Sequence, residues 1–228
     1  MPRKPRFNLP GYPQHVIQRG HNREPCFFSA TDFRCYLDSL NRACARSRCS
    51  LHAYVLMSNH VHLLMTPEAD SSVSQVMQSL GGRYVRHINR VYGRTGTLWE
   101  GRYKASLVEE DKYLLALYRY IEMNPVRANM VSHPAQYPWS SYRYHAFGEP
   151  DPLLTPHILY LALGAQTKSR TSAYRALFDI HLAPNQLQEI RGSVNHELAL
   201  GTDRFKDNIA SRTHRRTRLG KPGRPRIR

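Results

Sequence analysis

The segment Leu51–Thr66, LHAYVLMSNHVHLLMT, consists of two apolar runs joined by a short polar stretch. Leu51 to Met57 and His60 to Thr66 each have the length and apolar character of a strand. Ser58-Asn59 between them is a turn signal. The segment therefore predicts a β-hairpin, and the rest of the fold can be assigned outward from it.

Strand and helix patterns alternate on both sides of this hairpin. A strand from His15 to Gly20 and a helix from Thr31 to about Ser47 precede it. A helix from Ser72 to about Val91, a strand from Leu98 to Val108 and a helix from Asp111 to about Met123 follow. The order predicts an α+β fold: a ferredoxin-like, four-stranded antiparallel sheet with helices on one face.

Composition divides the chain into three regions. Residues 1–148 contain all the predicted strands, and the proline-rich stretch Gly148 to Pro152 marks a boundary. Residues 149–211 carry short helical patterns and are predicted to form a helical extension. Residues 212–228 contain eight Lys or Arg and no Asp or Glu, which predicts a basic, disordered DNA-binding tail.

The charge balance points to a polyanionic partner. The 228 residues include 33 Lys or Arg against 17 Asp or Glu, a formal net charge of +16. Nucleic acid is the first candidate and an anionic membrane surface the second. No run of eighteen apolar residues and no secretory signal is present, so a cytoplasmic location is expected. The four cysteines form no zinc pattern, and no phosphate-binding or dinucleotide glycine motif occurs.

His60 and His62 are the sharpest local feature. Side chains two apart on a strand share a face, so the two imidazoles are predicted to lie side by side. Imidazole is a good ligand for divalent transition metals. Two ligands make only half a site, however, and two half-buried histidines without a metal remain an alternative.

The helix from Asp111 offers a second pair of polar groups. Tyr120 and Asn124 are four residues apart, so their side chains can meet one ligand. They lie beside the apolar stripe that includes Tyr118, whereas Tyr113 lies two turns earlier with no such amide. A nucleophile and a metal ligand are one interpretation of this pair, and ordinary packing with a helix stop before proline is the other.

Basic residues recur in three places that suit DNA binding. One set lies along the helix from Ser72, a second on the outer strands and a third in a C-terminal segment that resembles an AT-hook. Solvated helix faces and a generic basic tail are the corresponding alternatives. The candidate DNA-binding residues are Arg19, Arg83, Arg86, Arg90, Arg102, Lys104, Lys221, Arg224 and Arg226.

Three short segments resemble a known family. They are MSNHVHLL at 57–64, LWEGRYK at 98–104 and YIEMNPVR at 120–127, and VIQRGHNREPCFF at 16–28 is similar to the family's opening strand and loop. They resemble the REP-associated tyrosine transposases, which belong to the insertion-sequence-200-like group of HUH endonucleases. The likeness covers about residues 5–145.

The resemblance implies a site and an activity. His60, His62 and Asn124 would hold a divalent ion, Mg²⁺ or Mn²⁺, and Tyr120 would be the single catalytic tyrosine. The family cuts single-stranded DNA through a 5′-phosphotyrosine link, leaves a 3′-hydroxyl and rejoins strands. Expected partners are hairpins folded from REP-like palindromic repeats. A monomer is favoured over a dimer, and a nucleoid-associated location in the bacterial cytoplasm is expected.

Three other functions remain possible from the sequence. The first is a non-catalytic DNA- or RNA-binding regulator of the same descent, which would keep the charge without the joint presence of His60, His62, Tyr120 and Asn124. The second is a replication initiator or relaxase, which would bring helicase or larger domains. The third is an unrelated metallohydrolase, which would show more carboxylates near the histidine pair.

Overall fold

A four-stranded antiparallel sheet in the order β2-β3-β1-β4 forms the centre of the protein. A computed structural model describes residues 6, 7 and 9–220. The strands are β1 Gln14–Arg19, β2 Cys49–Leu56, β3 His60–Pro67 and β4 Lys104–Leu107. The helices are α1 Ala30–Ser47, α2 Ser72–Val91, α3 Glu110–Glu122, α4 Asn124–Arg127, α5 Tyr142–Phe147, α6 Ile158–Leu161, α7 Thr167–Ala176, α8 Pro184–Asn195 and α9 Asp203–Thr213.

The chain order β1-α1-β2-β3-α2-β4 confirms the predicted ferredoxin-like α+β fold. The hairpin of β2 and β3 turns at Ser58-Asn59, where the Met57 amide donates to the His60 carbonyl at 2.8 Å. The fourth strand is shorter than the predicted Leu98 to Val108. Its first part is a loop because Gly101 turns the backbone with φ 81° and Trp99 is buried in the core.

Helices cover both faces of the sheet, so the expectation of helices on one face was wrong. Alternate residues of a strand point to opposite faces, and both faces of β3 carry buried residues. Val61 and Leu63 belong to a core with α1 and α2, whereas Leu64 belongs to a second core with α3 and shares its face with His60 and His62. Two buried faces require two covering layers. Within the described part of the chain, no helix has both the length and the apolarity to cross a membrane.

The C-terminal extension completes the second core. Tyr160, Tyr174, Ile190 and Leu200 pack in the same buried cluster as residues of α3 and β2. The stretch from Gly148 to Pro152 therefore does not separate two independently packed cores within the described residues.

The predicted disorder from Arg212 onward was wrong for residues 212–220. Helix α9 runs to Thr213, and Thr217 is buried with its carbonyl accepting from the Ala199 amide. Arg218 pairs with Asp203 at 3.2 Å and Asp207 at 2.5 Å, so acidic residues of α9 hold this basic stretch. Residues 221–228 lie outside the described residues.

The loop after β1 holds the hairpin turn in place. The Gly20 amide donates to the Asn59 carbonyl at 2.8 Å, and the Asn59 side chain donates to the Arg23 carbonyl at 2.9 Å. A Cβ atom at Gly20 would lie 2.2 Å from the Glu24 carbonyl oxygen, so only glycine allows this close approach. The turn that precedes His60 is thus fixed from the neighbouring strand.

Candidate active site

Strand β3 places His60 and His62 side by side on the face that α3 covers. Their ring centroids are 5.1 Å apart and the rings are nearly perpendicular. His62 is buried, and His60 is half-buried at the end of the strand. The period of two along the strand therefore produces the predicted neighbouring imidazoles.

One nitrogen of each imidazole is held inside the protein. His60 Nδ1 lies 2.7 Å from the Asn59 side-chain oxygen, and His62 Nδ1 lies 2.8 Å from Nε2 of His15. An amide oxygen only accepts, so His60 Nδ1 carries the proton and its Nε2 retains a lone pair. In both rings the nitrogen that remains for an outside partner is Nε2.

All three histidines favour the neutral form. Burial, with a contribution from Arg19, lowers the pKa of His60 to about 4, and burial lowers the pKa of His15 to about 3. Burial, and then the neighbouring His15 and His60, hold the pKa of His62 well below its usual range. Neutral imidazoles are the form that binds metal ions.

Tyr120 of α3 lies against the histidines. Its ring is edge-on to His62 at 5.7 Å and to His15 at 5.8 Å between centroids. The guanidinium of Arg127 lies 4.6 Å from the Tyr120 ring centroid, and its Nη2 donates to the Tyr120 carbonyl oxygen. Burial lowers the pKa of Arg127 to about 10, which still leaves it cationic at neutral pH. A phenol, two imidazoles and a cation thus meet at one point.

The other two tyrosines of α3 are engaged elsewhere. Tyr118 is fully buried, with its ring 4.8 Å from that of His145 in the second core. The Tyr113 hydroxyl donates to Glu189 at 2.6 Å, and burial together with this carboxylate raises the pKa of Tyr113. Tyr120 is therefore the tyrosine of α3 that lies against the histidine pair.

Asn124 lies at the start of α4, one turn after Tyr120. Its amide nitrogen donates to the carbonyls of Tyr120 at 3.0 Å and Ile121 at 3.1 Å. The nitrogen is thereby committed to the helix, which leaves the amide oxygen to accept or to ligate. No group of three or more His, Cys, Asp or Glu suited to a metal occurs among the described residues. A site on the two imidazoles consequently needs an amide oxygen, such as that of Asn124, and exogenous ligands.

The structure separates the candidate DNA-binding residues into two groups. Arg19 pairs with His60 across β1 and β3, and Lys104 pairs with Ile17, which itself pairs with His62. Arg19, Lys104 and Arg102 line a cavity of about 130 Å³ on this face. The second group, on α2, belongs to the layer on the opposite face and comprises Arg83, Arg86 and Arg90. Lys221, Arg224 and Arg226 lie outside the described residues.

Two residues of the site were not predicted from the sequence. His15 depends on the register of β1 against β3, which the sequence does not show. Arg127 falls within the segment YIEMNPVR, seven residues or two helical turns after Tyr120. A spacing of seven residues on one helix would have indicated that Arg127 lies near Tyr120. The proline after Asn124 predicted that the helix ends there, but a short helix, α4, follows after a break at Met123.

Comparison with known proteins gives matches of three kinds. The family model described as "Transposase IS200 like" matches residues 10–124, half of the chain. A Haemophilus influenzae protein that carries the name REP-associated tyrosine transposase is 29% identical over 100 residues, covering 40% of this chain and 57% of that protein. The chain thus matches less than two thirds of the relative's length.

A solved structure shares the fold. It is that of a REP-associated tyrosine transposase bound to a REP hairpin, with a TM-score of 0.56 and 18% identity, covering 69% of this chain and 93% of that chain. The family model spans β1 through α3. On this evidence, the chain belongs to the IS200-like transposase family.

Proposed function

We propose that this protein nicks and rejoins single-stranded DNA beside hairpins, with Tyr120 as the nucleophile. The observation that carries the proposal is the position of Tyr120, whose ring lies edge-on to His62 while His60 lies beside it. A phenol next to two neutral imidazoles is the minimum arrangement for covalent attack on a phosphate with a bound cation. Membership of the transposase family supports the same reaction.

His60, His62 and Asn124 would hold a divalent ion, Mg²⁺ or Mn²⁺. The fit rests on the free Nε2 positions of the two histidines and on the Asn124 amide, whose nitrogen is turned into its own helix. When bound, such an ion would polarise the phosphoryl oxygens and stabilise the negative charge that builds on them.

Tyr120 would carry the covalent step. Its oxygen loses its proton and attacks phosphorus, the new O–P bond forms as the bond to the 3′ oxygen breaks, and the departing oxygen takes up one proton, so no net proton is gained or lost. The 5′-phosphotyrosine keeps the energy of the phosphodiester, so a 3′-hydroxyl can reverse the step without a nucleotide cofactor. Arg127 lies beside this group, with its guanidinium 4.6 Å from the Tyr120 ring centroid.

The DNA substrate would be held by positive charge on the same sheet face. Arg19, Arg102 and Lys104 line a cavity together with Ile17, Glu100 and Asn195, and the chain carries a net charge of +16. Cations so placed can neutralise backbone phosphates without reading sequence. The solved relative is bound to a REP hairpin, which supports hairpins of this kind as the substrate. We propose that the protein acts on them as a monomer.

The test is formation of a covalent adduct. The protein is incubated with Mn²⁺ or Mg²⁺ and labelled single-stranded hairpins from its own genome, and the products are separated under denaturing conditions. Tyr120→Phe removes one oxygen and keeps the ring, so DNA binding should persist while nicking and adduct fall below detection. Tyr113→Phe is the matched control and should still cut, because Tyr113 is bound to Glu189.

Two results would contradict the proposal. Nicking by Tyr120→Phe at a near wild-type rate would identify water or another residue as the nucleophile. Tight binding by the wild-type protein with no adduct in either metal would favour a non-catalytic regulator.

A further inference from the structure

A second cavity opens beside α3 and α4, and neither His60 nor His62 lines it. Its volume is about 280 Å³, close to the lower end of the range of about 300–1,000 Å³ for small-molecule sites. Arg119 of α3, Met123 between α3 and α4, and Arg127 of α4 form one wall. The size suits a group smaller than a typical cofactor.

The opposite wall is apolar and comes from the extension. Phe178, Leu182 and Leu187 line it, and Ile180 and His181 lie at its exposed rim. Ile180 is 73% exposed. All of these residues lie beyond residue 124, where the match to the transposase family ends.

The charge in this cavity is positive and uncompensated. Among the described residues, neither Arg119 nor Arg127 forms a salt bridge with a carboxylate, and no acidic residue lines the cavity. Burial lowers the pKa of both arginines, and Arg191 adds repulsion at Arg127. An anion placed here would relieve that repulsion and regain hydrogen bonds for two half-buried guanidinium groups.

A ligand for this cavity needs an anionic group to meet the arginines and an apolar group to meet the opposite wall. One nucleotide has both. A base can pack on Phe178 and the leucines, while its phosphate meets the guanidinium groups. Arg127 also lies over the Tyr120 ring, so the occupant would share this arginine with the residue proposed as the nucleophile. A free small metabolite would satisfy the same charges, but its site would have no reason to share an arginine with Tyr120.

We infer that this cavity receives one unpaired nucleotide of the DNA strand next to the cleaved phosphate. The inference rests on the proposed function and adds a recognition site to it. Because one wall belongs to the extension, the base preference at this nucleotide is set outside the part of the chain that matches the family.

Abasic substitution in the DNA tests the inference by binding alone. Each unpaired position flanking the hairpin is made abasic in turn, and affinity is measured by fluorescence anisotropy without divalent metal. One position should weaken wild-type binding about tenfold, because contact with one base is worth about 1–3 kcal/mol. The other flanking positions should change it much less.

Ile180→Asp and Ile158→Asp form a matched pair of variants. Both isoleucines are highly exposed, at 73% and 71%, so both variants should fold, and each adds one negative charge. Ile158 on α6 does not line the cavity. Ile180→Asp should weaken binding of the intact hairpin and abolish the effect of the abasic position, whereas Ile158→Asp should keep the wild-type pattern.

Either of two outcomes overturns the inference: no sensitive position in the scan, or identical behaviour of the two variants. The readout is independent of cleavage. A protein that shows one sensitive position but forms no adduct supports the nucleotide site and refutes the proposed nicking. A protein that forms the adduct without a sensitive position supports the proposed nicking and refutes the nucleotide site.

Discussion

At the scale of single residues, His15 orients His62, the residue that the sequence motif makes evident. Its Nε2 atom lies 2.8 Å from Nδ1 of His62, and both rings are buried. A hydrogen bond at Nδ1 orients the imidazole and fixes which nitrogen carries the proton. For His62 to present a lone pair at Nε2, its Nδ1 must donate and His15 must accept.

We predict that His15→Ala weakens Mn²⁺ binding about 10–100-fold, the usual cost of losing a partner that orients a metal ligand. Isothermal titration of Mn²⁺ into the free protein measures this. His52→Ala is the control, since His52 is also buried but bonds to Thr155 and Thr66. Equal Mn²⁺ affinity in His15→Ala and wild type would show that His62 needs no orienting partner.

The sequence predicts site residues only where the spacing is local. His60 and His62 share a face because strands have a period of two, and the Asn124 amide reaches the Tyr120 carbonyl because helices bring together residues four apart. His15 lies 47 positions before His62, and its contact depends on the pairing of β1 with β3. No local pattern contains that register, so the residue could not be predicted.

At the scale of elements, the position of α3 depends on a buried carboxylate. Glu122 Oε1 accepts from Ser141 at 2.6 Å and from His145 at 2.7 Å, and Oε2 accepts from Tyr174 at 2.5 Å. Glu122 has no exposed surface. Three hydrogen bonds therefore tie the helix that carries Tyr120 to α5, to the residue before it and to α7.

Removing one of these hydrogen bonds to the carboxylate should lower the free energy of unfolding more than removing a hydrogen bond between neutral groups. Tyr174→Phe should lower the free energy of unfolding by about 1.5–3 kcal/mol, because the lost bond ends on a charged group. Tyr160→Phe is the control: its hydroxyl donates to the His145 carbonyl at 3.0 Å, and its loss should cost about 0.5–1.5 kcal/mol. Urea unfolding measures both, and a larger effect for Tyr160→Phe would contradict a carboxylate-centred network.

Elements were predictable where periodicity was strong, and less so where tertiary contacts decide. Helix α2 runs from Ser72 to Val91 as predicted, because its apolar spacing is regular. Helix α9 was not predicted, because only Ile209 along its length is buried and the apolar pattern is therefore weak. Its acidic residues Asp203 and Asp207 form ion pairs with Arg218, which lies beyond the helix. A basic stretch was interpreted as a disordered tail because its acidic partners lie outside it in the sequence.

At the scale of the whole molecule, affinity for DNA should depend on charge spread along the chain. Deleting residues 221–228 removes four Lys or Arg. If these cations contact phosphates, the slope of log affinity against log salt should become shallower by up to about 3–4, from about 0.9 per phosphate. Nicking at saturating DNA should persist, since no proposed catalytic residue lies there.

Anisotropy titrations at several salt concentrations measure this slope, and an unchanged value would show that residues 221–228 do not touch DNA. Deletion from Arg212 is an informative comparison. It also removes the buried Thr217 and the Arg218 pairs with α9, so the free energy of unfolding should fall only in this longer deletion.

The carboxylate of Glu122 also limits how such proteins can be recombined or diversify. A chimera that keeps residues 1–148 but takes its C-terminal part from another relative would leave this carboxylate without the hydroxyl of Tyr174. Oε1 would keep Ser141 and His145, but Oε2 would become a buried acceptor without a donor, which costs about 1–3 kcal/mol. A C-terminal part that can replace this one is therefore expected to bring its own hydroxyl or amide donor to Oε2.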